Sequence, residues 1–224
     1  MEKNKKKILV IDIGGSNVKI LATGAQERIK IPSGADFKPE EMVELVKENA
    51  SDWEYDMITM GFPGIVKENR IISEPVNLGK GWNKFDFQAA FNLPIKFIND
   101  AAMQALGGYE GKKLLFLGLG TGLGTAMVIH NTILPMEGGH LPFKKKTFEE
   151  YISKEYLAKK GPEHWEKNVQ KTIKIFRRIF QPDDILLGGG NSKLLTEVPE
   201  DCRLGTNQNA FKGGFKFWEE DFKL

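Results

Sequence analysis

Along this chain, short apolar runs broken by glycine alternate with stretches of helical spacing. Lys7–Ile13 and Val18–Thr23 are strand-like runs flanking a glycine pair, and Gln26–Ile31 extends the series as a third strand. The period then changes. Pro39 suits a first helical turn, and Met42, Val43 and Val46 recur at helical spacing, which predicts a helix over Pro39–Asn49. Asp56–Val66 reads as a buried strand ending in a Gly-Phe-Pro-Gly loop. Ile95–Asp100 is a further strand, running into an alanine-rich helix closed by glycine. A second strand–turn–strand unit occupies 113–134. Helical segments follow from about Phe148 to Phe180, with a break at Gly161-Pro162, and 183–195 is a strand entering a glycine loop and a helix start.

One pattern thus occurs twice: strand, glycine turn, strand, at Asp12–Gly15 and again at Gly118–Gly124. The repetition predicts two similar α/β lobes, 1–100 and 101–224, with a C-terminal helix free to return to the first lobe. Clefts between such lobes are where small ligands bind.

Composition narrows the classes. A chain of 224 residues that is 41% hydrophobic can bury a real core, and a net charge of +2 does not suggest a dedicated nucleic-acid binder. The single cysteine, Cys202, permits neither an intrachain disulfide nor a cysteine-rich zinc site, and fits a reducing cytoplasm. No apolar run is long enough to span a bilayer, and the basic start lacks the cleavage site of a signal peptide. A cytoplasmic protein without membrane partners is expected.

Glycine turns let a backbone approach phosphate oxygens and aim N–H groups at them. Three turns could do so: Gly14-Gly15, Gly118–Gly124 and Gly188-Gly189-Gly190. None matches the P-loop or the dinucleotide fingerprint, and each alone is equally a plain hairpin turn. Asp12, just before the first turn, could supply charge for a metal-bound phosphate. Asp100, between strand and helix, reads either as a helix N-cap or as a base for a substrate hydroxyl, with Asn99 beside it. In "EGGHLPF", Glu137 and His140 are either surface groups or a converging pair suited to sugar hydroxyls. Lys144, Lys145 and Lys146 form a solvated loop or a landing strip for a polyanionic donor.

Taken in order, "VIDIGGSNVK", "GFPGIV", "NLGKGW", "IND", "LGTGLGTAMV", "EGGHLPF" and "LLGGGNSK" resemble the ROK family of sugar kinases, closest to its polyphosphate glucokinase-like branch. The resemblance implies the two-lobed actin-like ATPase/hexokinase fold, with ribonuclease H-like lobes and an interlobe cleft. It implies phosphoryl transfer from ATP or polyphosphate, with Mg²⁺, to the 6-hydroxyl of glucose or a related hexose. A non-catalytic sugar- or nucleotide-binding member is the alternative. Asp100 matches the general base. Asn99, Gly64, Asn77, Glu137 and His140 match the sugar side, with Glu149 as a further candidate. Asp12, Gly14, Gly15, Ser16, Asn17 and Lys19 match the first phosphate turn, with Asp12 helping to place Mg²⁺. Gly120, Thr121 and Gly122 match the second, and Gly188, Gly189 and Gly190 the nucleotide-side loop. A homodimer is implied. The family's cysteine-rich zinc segment and N-terminal helix-turn-helix are missing, and the chain is short for the family, so trimmed peripheral helices are expected. Gly138 replaces a larger residue, which is expected to loosen that loop.

Overall fold

The computed structural model describes residues 6–206, 208–219 and 221–224. In chain order the strands are β1 (Ile8–Ile13), β2 (Asn17–Ala22), β3 (Ile29–Pro32), β4 (Met57–Phe62), β5 (Val66–Lys67), β6 (Arg70–Ile71), β7 (Ile95–Asn99), β8 (Leu114–Leu119), β9 (Leu123–Ile129), β10 (Thr132–Met136), β11 (Pro142–Phe143), β12 (Lys146–Thr147), β13 (Asp184–Gly188) and β14 (Cys202–Leu204). The helices are α1 (Pro39–Asn49), α2 (Phe87–Phe91), α3 (Asp100–Gly107), α4 (Phe148–Ile152), α5 (Lys154–Lys160), α6 (Pro162–Phe180) and α7 (Asn209–Lys216).

Two five-stranded sheets carry the fold, ordered β3-β2-β1-β4-β7 and β10-β9-β8-β13-β14. Each has an antiparallel meander on one side and two parallel strands on the other. The repeat read from the glycine turns is therefore a repeat of topology. β1 and β8 are central strands, and both are almost continuously apolar, as strands covered on both faces must be.

Each sheet has its own core. One gathers Leu9, Ile11, Met42, Phe62 and Trp82; the other gathers Leu117, Trp165, Ile173 and Phe176. A third core lies between the sheets, where α3 and α7 are sandwiched with Val10, Leu114 and Leu186. The two helices meet backbone to backbone: a Cβ on Gly213 would stand 1.8 Å from the Met103 carbonyl oxygen. Thr59 Oγ1 donates to the Gly214 carbonyl at 2.7 Å, which fixes α7 to the first sheet. No described helix is long and apolar enough to cross a membrane.

Several boundaries differ from the sequence expectation. The third strand starts at Ile29 rather than Gln26, because residues 23–28 form the turn out of β2. The expected strand to Val66 stops at Phe62. Pro63 has no N–H to continue the ladder, and Val66 pairs with Ile71 instead. The helical stretch from Phe148 breaks at Ser153 as well as at Gly161, and Ser153 caps the next helix by accepting from Tyr156 N–H at 3.2 Å. After Gly190 there is only a single 3₁₀ turn, Ser192–Leu194, where a helix start was expected.

Candidate active site

A cleft of about 1210 Å³ opens between the two sheets. On its floor β1 presents Asp12, whose ladder partner across the β1–β2 hairpin is Lys19. Lys19 Nζ reaches Asp12 Oδ2 at 2.8 Å, so the hairpin ends in an ion pair directed at the cleft. Its Gly14-Gly15 turn is tied down: Gly14 N–H donates to the Asn17 carbonyl at 3.1 Å, and Ser33 Oγ to the Gly14 carbonyl at 2.7 Å. Gly15 is where this turn meets the loop carrying Asn77, because a Cβ there would stand 3.0 Å from Asn77 Cβ.

Asp100 settles one of the open alternatives. The N-cap of α3 is Asn99, whose Oδ1 accepts from Ala102 N–H at 3.1 Å. Asp100 is the first helical residue, and among the described residues it accepts only from Ala101 N–H, through Oδ1 at 2.7 Å. Capping is thus done by its neighbour, and Asp100 lines the cleft. Burial first, and the nearby Asp12 carboxylate after it, push the Asp100 carboxyl up to about 7; Glu137 adds to the rise, while Ala101 N–H and Lys19 oppose it. Asn99 Nδ2 also donates to the Gly64 carbonyl at 3.2 Å, so Asn99 ties the Gly64 loop to α3 at the cleft wall.

Glu137, His140 and Glu149 converge. His140 Nδ1 lies 3.5 Å from Glu137 Oε2, and its Nε2 lies 3.3 Å from Glu149 Oε1. The histidine links two carboxylates that are remote in sequence, and all three line the cleft. The loop beneath them is packed rather than loosened by Gly138. Gly138 N–H donates to Thr125 Oγ1 at 2.9 Å, and a Cβ at Gly138 would press on the Phe176 ring at 3.1 Å.

The remaining glycine turns form one surface in the second lobe. Asn191 Nδ2 donates to the Gly120 carbonyl at 3.3 Å, and Asn191 N–H to the Leu119 carbonyl at 3.0 Å. Gly189 has φ +80°, and a Cβ there would strike the Leu119 carbonyl at 2.3 Å, so the two turns can dock only on glycine. Gly120 and Gly190 have open space where a side chain would project. Gly120, Thr121, Gly122, Gly189 and Gly190 line the cleft, facing Asp12 and Asp100.

Three of the expected site residues do not line the cleft: Ser16, Asn17 and Gly188. Asn17 lies opposite Pro32 in the ladder, and the Ser16 carbonyl accepts from Ser33 N–H at 3.1 Å. Gly188 lies under the Phe116 ring. The lysine run is also split. Lys144 turns back onto the second lobe, with Nζ 2.6 Å from Asn168 Oδ1 and 4.7 Å from the centre of the Tyr151 ring. Lys146 lines the cleft but pairs with Glu150 at 3.1 Å. Pattern reading missed Glu74, whose carboxylate accepts from Gly81 and Trp82 N–H at 3.1–3.2 Å and pins the loop bearing Asn77. No local signal marks it, since its partners are backbone groups of a loop.

No group of three or more His, Cys, Asp or Glu side chains able to cage a metal occurs among the described residues. Asp12 nonetheless has a second carboxylate oxygen beside the one held by Lys19. A single carboxylate suits Mg²⁺ carried on donor phosphates, which keeps several waters and takes only one or two protein carboxylates.

Known proteins share the family and the fold. The ROK family model matches residues 8–147. Polyphosphate glucokinase of Mycobacterium tuberculosis (strain CDC 1551 / Oshkosh) is 27% identical over 206 residues, covering 82% of this chain and 77% of that protein. Glucokinase of Escherichia coli (strain SMS-3-5 / SECEC) is 29% identical over 219 residues, covering 86% and 68%. The crystal structure of inorganic polyphosphate/ATP-glucomannokinase from Arthrobacter sp. strain KM superposes with a TM-score of 0.80 at 23% identity, covering 94% of this chain and 97% of that one. The two-lobed hexokinase-like architecture is shared, and the chain belongs to the ROK family.

Proposed function

We propose that the protein is a sugar kinase that moves a phosphoryl group from ATP or inorganic polyphosphate to the 6-hydroxyl of glucose or a closely related hexose. The observation that carries this reading is Asp100: a carboxylate relieved of helix capping by Asn99, in a cleft lined by both glycine turns and a Glu–His–Glu cluster, with Gly122 of the second turn against Glu149.

The residues divide the work by chemistry. Glu137, His140 and Glu149 offer hydrogen-bonding groups to neighbouring sugar hydroxyls, with Asn77 and the Gly64 loop also lining the cleft. Asp100 accepts the proton of the attacking hydroxyl. A carboxyl raised to about 7 by burial and by the Asp12 carboxylate suits that task, because a base works best when its pKa lies near the working pH. The turns at Gly14-Gly15 and Gly120–Gly122 let the backbone come close to phosphate oxygens, with the Gly14 and Gly120 N–H groups spent on holding the turns in shape, and Lys19 adds positive charge. Mg²⁺, brought with the donor and steered by Asp12, would neutralise charge on the phosphates. Phosphoryl transfer asks mainly for such positioning and electrostatic stabilisation. A coupled assay over a panel of hexoses, run with ATP and with polyphosphate, tests the reading. Hexose-dependent phosphate transfer supports it; sugar binding without transfer from either donor would favour a binding protein.

A further inference from the structure

The chain has a basic, cleft-facing wall that the sequence pattern did not suggest. Helix α5 lines the cleft through Glu155, Tyr156, Lys159 and Lys160, the i, i+1, i+4, i+5 positions of one helical face. Leu157 turns the other way, onto the core of the second lobe. The helix is rooted in the second phosphate turn: Lys154 N–H donates to the Gly120 carbonyl at 2.9 Å. At about 1.5 Å per residue, Lys159 and Lys160 stand roughly 7–9 Å along the helix from that anchor.

These two lysines differ from Lys144 and Lys146. Among the described residues, no carboxylate lies within 4.0 Å of either, although Glu155 stands four residues before Lys159 on the same face. Their charges are therefore available to something in the cleft. What a donor presents at this distance from the glycine turn depends on its kind. With its terminal phosphate at the turn, ATP presents ribose and base there, which carry no charge. A linear polyphosphate presents more phosphates. The cleft also offers little for a base to stack on. Phe116 is 1% exposed, Tyr151 is covered by Lys144, and only Tyr156 remains, on α5 itself.

We propose that Lys159 and Lys160 of α5 form an outer donor track that grips the phosphates of a linear polyphosphate beyond the one transferred, and so favours long chains over ATP. The inference rests on the donor-side placement of the Gly120–Gly122 turn in the proposed function. It assigns the preference to two residues outside that turn, with Glu155 as the opposing charge on the same face.

The test is direct binding, so that it does not depend on turnover. Long-chain inorganic polyphosphate, tripolyphosphate and ATP are titrated by calorimetry, at two salt concentrations, into wild type, Lys159→Gln/Lys160→Gln, Glu155→Gln and Asp100→Asn. The double variant should bind long chains about tenfold more weakly, with a salt dependence flatter by roughly one to two logarithmic units per decade, as when two phosphate contacts are removed. Its affinity for tripolyphosphate and ATP should stay within about twofold, because their few phosphates are taken up at the turn and at about one Debye length, ~8 Å, the lysines' charges are largely screened. Glu155→Gln should tighten long-chain binding, and Asp100→Asn should leave it unchanged. Equal long-chain affinity in wild type and double variant overturns the track. So does an equal loss for all three ligands, which would assign the lysines to the phosphate turn or the fold. Should the chain-length effect appear while no hexose is phosphorylated, the track stands and the kinase reading falls.

Discussion

The two lobes share one strand plan and differ at one ladder position. At the penultimate residue of its central strand, the first lobe places Asp12 against Lys19 on β2 and Gly61 on β4. At the same position, the second lobe places Gly118 against Gly124 on β9 and Gly188 on β13. One site is an ion pair aimed at the cleft; the other has no side chains, and the Phe116 ring fills the space beside Gly118 and Gly188. The ends of the last strands differ in the same way. β7 runs into Asn99-Asp100, whereas β14 runs into Leu204-Gly205. On the proposed function this repeated plan divides the work: the first lobe would hold the base and the carboxylate near the donor, while the second lobe's bare position would leave its backbone open to phosphate.

The largest effect should come from removing the first lobe's base. Asp100→Asn should lower turnover by roughly 10²–10⁴-fold while hexose binding by calorimetry is retained, because the amide keeps the Ala101 contact but cannot take the proton. The same variant separates chemistry from stability. The folded-state carboxyl titrates near 7, above its ordinary 3.8, so the folded protein holds an extra proton between those values. The cost of burying the charge therefore grows as pH rises from about 4 to 7 and is complete above it. Asp100→Asn should be more stable than wild type at pH 8, on the order of 2 kcal/mol after allowing for water in the cleft, and equal to it near pH 3.5. A constant gain at both values would deny that the carboxyl is perturbed.

Next in size is the ion pair itself. Asp12→Asn should lower turnover by about 10²-fold, the scale of misplacing reacting groups by an ångström. It should leave hexose affinity nearly unchanged. A matching loss of hexose affinity would move Asp12 from the donor to the sugar side.

The sugar cluster belongs wholly to the second lobe and should respond differently. His140→Ala removes the link between Glu137 and Glu149 and should raise the hexose KM by the worth of one or two polar contacts, about 1–3 kcal/mol. The donor KM should stay put. If the donor KM rises instead, His140 belongs with the phosphate turns.

The smallest effect tests the bare position of the second lobe. A Cβ on Gly188 would lie 2.5–2.6 Å from the Phe116 ring. Gly188→Ala should cost about 1–3 kcal/mol in chemical denaturation, the usual penalty of overpacking. Much of that loss should return with Phe116→Leu, which withdraws the ring edge. Additive losses in the double variant would show that the ring is not what keeps the position bare.

What could be read from sequence was local. The glycine turns, the helix over Pro39–Asn49 and the duplicated strand–turn–strand units follow from nearest-neighbour chemistry, and they appear with small boundary changes. Whether Asp100 caps α3 was not legible, because Asn99 is an equally good cap and the choice depends on how the strand enters the helix. The lysine run read as one feature. The β11–β12 hairpin splits it, with Lys144 at φ 56° sent toward Asn168 and Lys146 left at the cleft. Glu74 and the α5 lysines carry no motif. They matter through where distant segments fold, Glu74 on the Gly81–Trp82 backbone and α5 against the Gly120 turn.

On the proposed function, Asp100, raised by burial and by Asp12, is the base of the reaction. The most direct measurement is the pH dependence of kcat/KM for the hexose, which reports groups in the free enzyme. The account predicts an acid limb with an apparent pKa of about 7, moving to lower pH in Asp12→Asn as the neighbouring negative charge is removed. A rate that stays flat down to about pH 5, or a limb that Asp12→Asn leaves in place, would contradict it.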